Sequence, residues 1–240
     1  LASVGEAYGT LFGTSYVRDA NGNVVVDANG LPKISTTNKT LGKFTPDWTG
    51  GISNTFSYRS LSLSFLIDAS VGGSIFSNTN KTGKYTGVLA NTLSGRDAEH
   101  GGLWYYTAAM GNNVRLPESP SYSVSSDGLY YAQVNGQSTR VYQDGIMVEG
   151  VTESGSKNEE VVSAEKYYHR IYSIAEANVY DASYVKLREV ALSYRLPRLW
   201  TQKLHLQEAS VTLTGRNLWT IYKSVPNICL LYTISEPTRP

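Results

Sequence analysis

Two stretches of the chain alternate between apolar and polar residues with a period of two, the pattern of β-strands that have one apolar face. The first stretch runs from residue 50 to residue 76 and reverses at Arg59-Ser60. A two-residue turn at that point predicts a hairpin in which Tyr58 pairs with Leu61. The apolar side chains that then share one face are Ile52, Phe56, Tyr58, Leu61, Leu63, Phe65 and Ile67.

The second stretch is a strand that ends near Leu196, a connection over residues 197–208, and a further strand that contains Val211 and Leu213. If Leu196 pairs with Ala209, every antiparallel pair in this hairpin has the same index sum. Apolar residues then face apolar residues, as in the first hairpin. Both hairpins therefore have one apolar face and one polar face.

Between residues 78 and 178 the alternation is lost, and Gly, Asn, Ser, Tyr and charged residues dominate. A connection of this length without structure is unusual in a compact soluble domain. It is expected on the outer side of a membrane barrel, where one set of turns is short and the other set of loops is long. We predict extracellular loops with at most short elements over 78–178, and periplasmic turns at 59–60 and 197–208. Before the first hairpin, two Asn-Gly pairs between Tyr8 and Lys33 indicate further strands.

The register of the second hairpin places Glu189 opposite Arg216. In a wide membrane barrel, polar faces line a wet lumen and apolar faces meet lipid. We interpret the two residues as a structural, bidentate ion pair on the lumen face, in preference to a substrate contact. Val185 and Leu187 have the opposite parity to the apolar residues that follow them, which predicts a β-bulge near Arg188.

Composition supports an all-β chain and excludes several functions. The 240 residues include 18 Tyr and 22 Gly, and 21 basic residues nearly balance 20 acidic residues, so nucleic-acid binding is not expected. The single cysteine, Cys229, allows neither an internal disulfide nor a thiolate metal cluster. No apolar run reaches the roughly 18 residues of a membrane helix.

Candidate chemistry is sparse. His100, His169 and His205 are far apart in sequence, so we predict ordinary surface histidines and no metal site. Asp97 and Glu99 lie beside His100 and suggest acid-base chemistry or calcium binding, but we favour a tight solvated turn. Phosphate-binding and nucleophile-elbow motifs are absent from the sequence. We therefore expect neither an enzyme nor a cofactor.

Five aromatic residues suggest contacts. Trp104, Tyr105 and Tyr106 are adjacent in the long irregular region, where such rings bind a ligand or partner, or pack the region against itself. Both interpretations of these three residues stay open. Trp200 and Trp219 fall near predicted strand ends, where aromatic rings suit a membrane interface.

Four motifs resemble one family. The segments "LGKFTPDWTGGISNTFSYRSLSLSFLIDASVGGSIFSNTN", "TLSGRDAEHGG", "YDASYVKLREVALSYRLP" and "SVTLTGRNLWTIYKSVPNI" resemble the C-terminal half of the barrel of SusC/RagA-like TonB-dependent outer-membrane transporters. The similarity covers about residues 1–228, in the family's order. It implies an antiparallel transmembrane β-barrel fragment, with later strands of a 22-stranded barrel and long extracellular loops. The N-terminal plug and the closing strand would lie outside this chain.

The same resemblance implies a function. It implies uptake of a bulky nutrient, a glycan (oligosaccharide) or peptide ligand, across the outer membrane of a Gram-negative-type cell. TonB would supply the energy through the missing N-terminal part, outer-membrane lipid would surround the barrel, and a SusD-like surface lipoprotein would cover the extracellular loops. Residues 229–240, "CLLYTISEPTRP", depart from the family pattern and resemble a translated sequencing adapter. We expect them to be a non-native tail.

Two alternatives fit the same strands. A secreted carbohydrate-binding β-sandwich or propeller would bury its apolar faces internally, and a barrel-associated hydrolase is the other candidate. A barrel turns its apolar faces outward, so the face that meets water separates these classes. For the isolated chain we expect a curved open sheet that does not fold stably in water, because its apolar faces and both sheet edges would be exposed.

Overall fold

The computed structural model describes residues 5–118, 120–203 and 206–226. These residues form two compact units. The first unit contains the described parts of residues 1–11, 42–75 and 180–240, and the second contains those of 12–41 and 76–179. The predictions for His205, Cys229 and the tail 229–240 lie outside the described residues.

Strands dominate the described residues, and few helices are present. The strands are β1 (Thr10–Gly13), β2 (Lys39–Lys43), β3 (Trp48–Tyr58), β4 (Leu61–Val71), β5 (Ser74–Phe76), β6 (Leu103–Thr107), β7 (Asn113–Arg115), β8 (Tyr122–Val124), β9 (Tyr130–Val134), β10 (Gln137–Met147), β11 (Val161–Ser163), β12 (Val179–Asp181), β13 (Tyr184–Arg195) and β14 (Ser210–Lys223). The helices are α1 (Asn78–Thr86), α2 (Ala164–Tyr172) and α3 (Arg198–Lys203), with 3-10 turns at Ala90–Thr92, Ala98–His100 and Glu176–Asn178.

The first unit contains an open antiparallel sheet of four strands in the order β14-β13-β4-β3. Its first hairpin has the predicted register, with Tyr58 opposite Leu61 and Ile52 opposite Ile67. The turn is the predicted pair Arg59-Ser60, because the alternation reverses only there. The predicted antiparallel strands and open sheet are confirmed for this part of the chain.

The second hairpin also has the predicted register. The backbone N–H of Leu196 donates to the carbonyl oxygen of Ala209 at 2.9 Å, and the ladder continues from there to Glu189 and Arg216. The register shifts between Leu187 and Glu189 against both neighbouring strands, so the predicted bulge near Arg188 is confirmed.

An Asx turn fixes the entry to β13. The carboxylate of Asp181 accepts hydrogen bonds from the backbone N–H (2.8 Å) and the hydroxyl (2.6 Å) of Ser183. The Ser183 Oγ in turn accepts the backbone N–H of Gly72 at 2.8 Å. Next to it, the buried residues Tyr184 and Val225 form a small apolar cluster. The "DAS" of the sequence motif therefore determines where β13 begins.

The second unit contains a six-stranded sheet in the order β7-β6-β10-β9-β8, with β11 also paired to β10. Ser77 and Ser163 cap α1 and α2 through their hydroxyl oxygens. The core includes Ile174, Val141, Val161 and Val162, all nearly inaccessible to solvent. In the part of the chain that the structure describes, no helix is both long and apolar enough to cross a membrane.

The second unit corrects the prediction of at most short elements over residues 78–178. β10 alone has 11 residues, and α1 and α2 have 9 each. The pattern is hidden because β10 changes partners along its length: residues 137–141 pair with β9, and residues 145–147 pair with β11. The turn between β9 and β10 is Asn135-Gly136, both with positive φ, so an Asn-Gly hairpin signal was present in the sequence.

The prediction of further strands between Tyr8 and Lys33 is confirmed only in part. β1 is the one regular strand that begins in this described stretch, and the rest is held by isolated bridges such as that between Val26 and Pro32. Both Asn-Gly turns are present, and in each an aspartate, Asp19 or Asp27, accepts backbone N–H groups two and four residues ahead. Local turn chemistry therefore takes the place of a sheet ladder here.

Candidate functional site

The four-stranded sheet presents one continuous apolar face. Its register aligns apolar residues in rows that cross all four strands. The Leu213 side chain is 75% exposed, and its row neighbours are also exposed. The two clearest rows are Tyr58, Leu61, Tyr194 and Val211, and Phe56, Leu63, Leu192 and Leu213.

The opposite face of the same sheet carries rows of hydroxyl groups. Ser57 and Ser62 approach within 3.0 Å through their Oγ atoms, and Ser193 Oγ lies 2.8 Å from Thr212 Oγ1. These four residues form a single row, because Ser62 is also paired with Ser193. The sheet is therefore sorted into an apolar face and a hydrogen-bonding face over its whole width.

Glu189 and Arg216 lie opposite each other on the polar face. Arg216 Nε donates to Glu189 Oε2 at 3.0 Å, a single hydrogen bond where a bidentate pair was expected. The Arg216 side chain is 75% exposed and that of Glu189 is 37% exposed. The pair is therefore solvent-accessible in this sheet, and its orientation towards a lumen and its structural role stay predictions.

The bulge adds further charges to the polar face. Arg188 is the extra residue relative to β4, and its guanidinium forms an ion pair with Asp68. Asp68 also accepts the hydroxyl of Tyr184 at 3.2 Å, and Lys186 Nζ lies 4.3 Å from the centre of the Tyr184 ring. In a regular strand Arg188 and Glu189 would point to opposite faces. The bulge lets both consecutive residues reach the same charged face.

A charge swap tests the Glu189–Arg216 pair. In the full-length protein, Glu189→Arg and Arg216→Glu singly should each reduce assembly, by about 0.5–1 kcal/mol, because each change places like charges opposite one another. The double variant should recover assembly, measured as folded protein in the outer membrane. The matched control is the exposed pair of Arg195 and Glu208, 2.7 Å apart at the end of the hairpin, where the same swaps should have little effect. Absence of recovery would remove the energetic support for the pair.

The structure buries two of the three clustered aromatic residues. Trp104 is 7% exposed and stacks on Tyr122, with ring centres 4.9 Å apart. Tyr105 is 4% exposed and donates its hydroxyl hydrogen to Asp144 Oδ1 at 3.2 Å. Tyr106 is half-buried against the Trp104 cluster. Rings enclosed in this way offer little surface to a ligand, so the structure favours the packing interpretation for Trp104 and Tyr105.

Burial also governs the ionisation of this aromatic cluster. Desolvation raises the pKa of the Tyr105 phenol, and the neighbouring Asp144 carboxylate raises it further. Desolvation likewise raises the pKa of Asp144, against the lowering effect of the Tyr105 hydrogen bond. The Tyr105 phenol therefore stays a neutral hydrogen-bond donor to Asp144 even at alkaline pH.

The other candidate residues are placed as follows. Asp97 accepts the backbone N–H (2.9 Å) and binds the ring Nδ1 (2.7 Å) of His100, and this hydrogen bond lowers the pKa of Asp97. These contacts close the predicted tight turn.

His169 stacks on Tyr85, with ring centres 4.2 Å apart. Within residues 5–118, 120–203 and 206–226, no three His, Cys, Asp or Glu side chains are arranged to hold a metal ion.

The two outlying tryptophans are both exposed. Trp200 is 61% exposed and belongs to α3, in the connection between β13 and β14, so it does not lie in a strand. Trp219 lies within β14, opposite Leu187. Their assignment to a membrane interface stays a prediction.

A cavity in the second unit was not expected from the sequence. It has a volume of about 680 Å³ and lies between the end of β10, the residues that follow it, and α2. Glu149 and Tyr167 both line it. They are separated in sequence and belong to no recognisable motif, so only the packing of α2 near β10 brings them together.

No family model matches the chain. The chain is 25% identical over 216 residues to TonB-dependent receptor P3 of Formosa agariphila, and the alignment covers 90% of the chain and 16% of the receptor. The chain therefore spans well under a fifth of the length of this curated relative. A solved structure of the RagAB peptide importer in its closed-closed state is similar over 90% of the chain and 20% of the importer chain, at a TM-score of 0.37 and 16% identity.

The curated relative is named as a receptor and not as an enzyme. Its match over nine tenths of the chain agrees with the resemblance carried by the four motifs, two of which form the paired strands β13 and β14. The chain is therefore similar to a TonB-dependent receptor, in agreement with the resemblance of its motifs to SusC/RagA-like transporters.

Proposed function

We propose that this chain forms part of the barrel wall and the extracellular region of a TonB-dependent transporter in the outer membrane of a Gram-negative-type cell. The transporter imports bulky nutrients such as oligosaccharides or peptides. The observation that carries this proposal is the sorting of the four-stranded sheet into one exposed apolar face and one polar, charged face.

The dimensions of the sheet support a membrane-spanning wall. A strand tilted in a barrel needs about 9 to 11 residues to cross the hydrocarbon layer. β3 and β4 have 11 residues each, β13 has 12 and β14 has 14. An apolar face of this height meets lipid, and the opposite face meets a wet, plugged lumen.

The connections of the sheet support the proposed topology. The backbone N–H of Arg195 donates to the carbonyl oxygen of Ser60 at 2.8 Å, so the β3–β4 turn and the start of the β13–β14 connection lie at the same end of the sheet. The chain leaves the sheet after Val71 and returns at Tyr184, at the opposite end. Short connections at one end and a long excursion at the other are typical of outer-membrane barrels, with the short connections on the periplasmic side.

The proposed transporter requires partners outside this chain. TonB would act through an N-terminal plug segment, and a SusD-like surface lipoprotein would cover the extracellular side. The family resemblance supports both partners. Residues 76–179 of the second unit, which follow β4, would then belong to the extracellular region.

Cysteine labelling tests the topology. In the full-length protein, Asp127→Cys on the exposed β8–β9 turn should react with a membrane-impermeant maleimide on intact cells. Ser60→Cys, which is also exposed and lies in the first unit, should react only after the outer membrane is permeabilised, because it would face the periplasm. Fractionation of the same cells should place the protein in the outer membrane. Labelling of Ser60→Cys in sealed cells would overturn the topology, and recovery of the protein as a soluble secreted species would overturn the transporter.

A further inference from the structure

The cavity in the second unit has the size of a ligand site. Its volume of about 680 Å³ lies inside the range of about 300–1,000 Å³ that is typical of small-molecule pockets. All its lining residues belong to the second unit. The site is therefore built by one compact body.

Two tyrosines of α2 form one wall. The Tyr168 hydroxyl donates to the carbonyl oxygens of Asn91 (3.2 Å) and Ser94 (3.0 Å), and these contacts fix its ring. The Tyr167 ring packs edge-on against it, with centres 5.2 Å apart. Burial raises the pKa of Tyr167, so its hydroxyl stays protonated near pH 7. In the described residues no partner is recorded for that hydroxyl, which leaves it available to a ligand.

The facing wall is mostly aliphatic. Leu103 comes from β6, and Ile146 and Met147 come from the end of β10. Against these side chains and the tyrosine rings, a ligand buries apolar surface with a favourable free energy. The cavity therefore suits a ligand with a hydrocarbon portion.

The charge of the cavity has one sign. Glu149 is the only acidic residue among the described lining residues, and these include no lysine, arginine or histidine. No ion pair of Glu149 is recorded within the described part of the chain. A neutral ligand that covered this carboxylate would remove its hydration without replacing it by an opposite charge. A cation would replace the lost hydration with a charge-assisted hydrogen bond.

We propose that this cavity binds a small basic ligand, of the kind presented by a lysine- or arginine-containing peptide, with its cation at Glu149 and its hydrocarbon stem between Tyr167 and Met147. This inference rests on the proposed transport function. It narrows the imported nutrient to one that carries a positive charge. The Tyr167 hydroxyl supplies a second polar contact.

Calorimetric titration of the purified full-length transporter tests the proposal. The probes are the tripeptide Leu-Lys-Leu, the same peptide with an acetylated lysine side chain, and a neutral cello-oligosaccharide. The unmodified peptide should bind about tenfold more tightly than the acetylated one, since acetylation removes the charge from the hydrogen bond. Glu149→Gln should weaken the unmodified peptide by a similar factor and leave the acetylated peptide unchanged.

Glu159→Gln is the matched control, because it removes the same charge from an exposed residue of the second unit that does not line this cavity. It should leave both affinities unchanged. Equal binding of the two peptides, equal effects of the two glutamate variants, or preferential binding of the oligosaccharide would each overturn the basic-ligand site. A lower melting temperature of Glu149→Gln without any change in affinity would show that another segment of the transporter fills the cavity, and would also overturn it.

The two proposals fail separately. Labelling and fractionation decide whether the protein is an outer-membrane transporter, whatever the cavity binds. Charge-dependent titration decides what the cavity binds, wherever the protein is located.

Discussion

Leu213→Arg is expected to reduce assembly of the transporter in the outer membrane, whereas Thr212→Arg, one residue earlier, is expected to be tolerated. Leu213 lies in an exposed apolar row with Phe56, Leu63 and Leu192, and Thr212 belongs to the hydroxyl row on the opposite face. An arginine that faces lipid costs about 2–4 kcal/mol at the middle of the bilayer and less towards the interfaces, and Leu213 lies three residues from the first residue of β14. An arginine in a wet lumen keeps most of its hydration.

Folded barrel can be quantified by its heat-dependent mobility on detergent gels. Because arginine at Leu213 would also damage a soluble β-sandwich, a second pair of variants is needed to identify lipid. The fluorescence added by Leu213→Trp should be quenched by lipids brominated in the acyl chains, and that added by Thr212→Trp should not. Equal quenching of the two would contradict the assignment of faces, and no quenching of either would favour a soluble fold.

Trp104→Ala is expected to destabilise the second unit by about 3–5 kcal/mol, the usual cost of removing a buried aromatic side chain. Trp104 contacts Tyr122, Tyr130 and the buried Val141. Its loss leaves a void between β6, β9 and β10. Hydrogen exchange should show much faster exchange of the backbone amides of β9 and β10, while the strands of the first unit keep their protection.

Trp200→Ala is the control for this variant, because Trp200 is exposed on α3. Its effect on the amides of β9 and β10 should be within about 0.5 kcal/mol of zero. If Trp104→Ala kept those amides protected and reduced only ligand uptake, the ring would be a ligand contact after all.

The sequence predicted the first unit well because one face of each strand is apolar. A slip of one residue would move Phe56 or Leu192 to the polar face, so the alternation and the two-residue turn determine the register between them. The pairing of Glu189 with Arg216 followed from that register. Because the two residues have opposite charges, the register alone was enough to predict an ion pair.

The second unit was much less predictable. β10 pairs with β9 through residues 137–141 and with β11 through residues 145–147, so its buried positions follow no single period. The cavity was not predictable either, since Glu149 and Tyr167 line it together only because of how α2 packs near β10. Two local signals would have found strand pairs there, namely the Asn135-Gly136 turn between β9 and β10 and the Asp127-Gly128 turn between β8 and β9.

The bulge at Arg188 also shows what two of the four motifs share, "SYVKLRE" in β13 and "GRNLW" in β14. The same stretch of the sheet takes a different number of residues in each strand. It is one step in β4, from Ile67 to Leu66, and two steps in β13, from Leu187 to Glu189. In β14 it is three steps, from Trp219 to Arg216. The number of residues over this stretch therefore increases from β4 to β13 and again to β14. The additional residues are Arg188 of "KLRE" and two residues of "RNLW", one of which, Asn217, has a φ of 51°.

Neighbouring strands of unequal path length cannot stay flat, so the sheet must bend at this level. "SYVKLRE" and "GRNLW" are then two halves of one curved element, and neither half specifies the curvature alone. A change of length in one motif is compensated only by a change of length in the other, whereas substitutions that keep the count of residues leave the curvature intact.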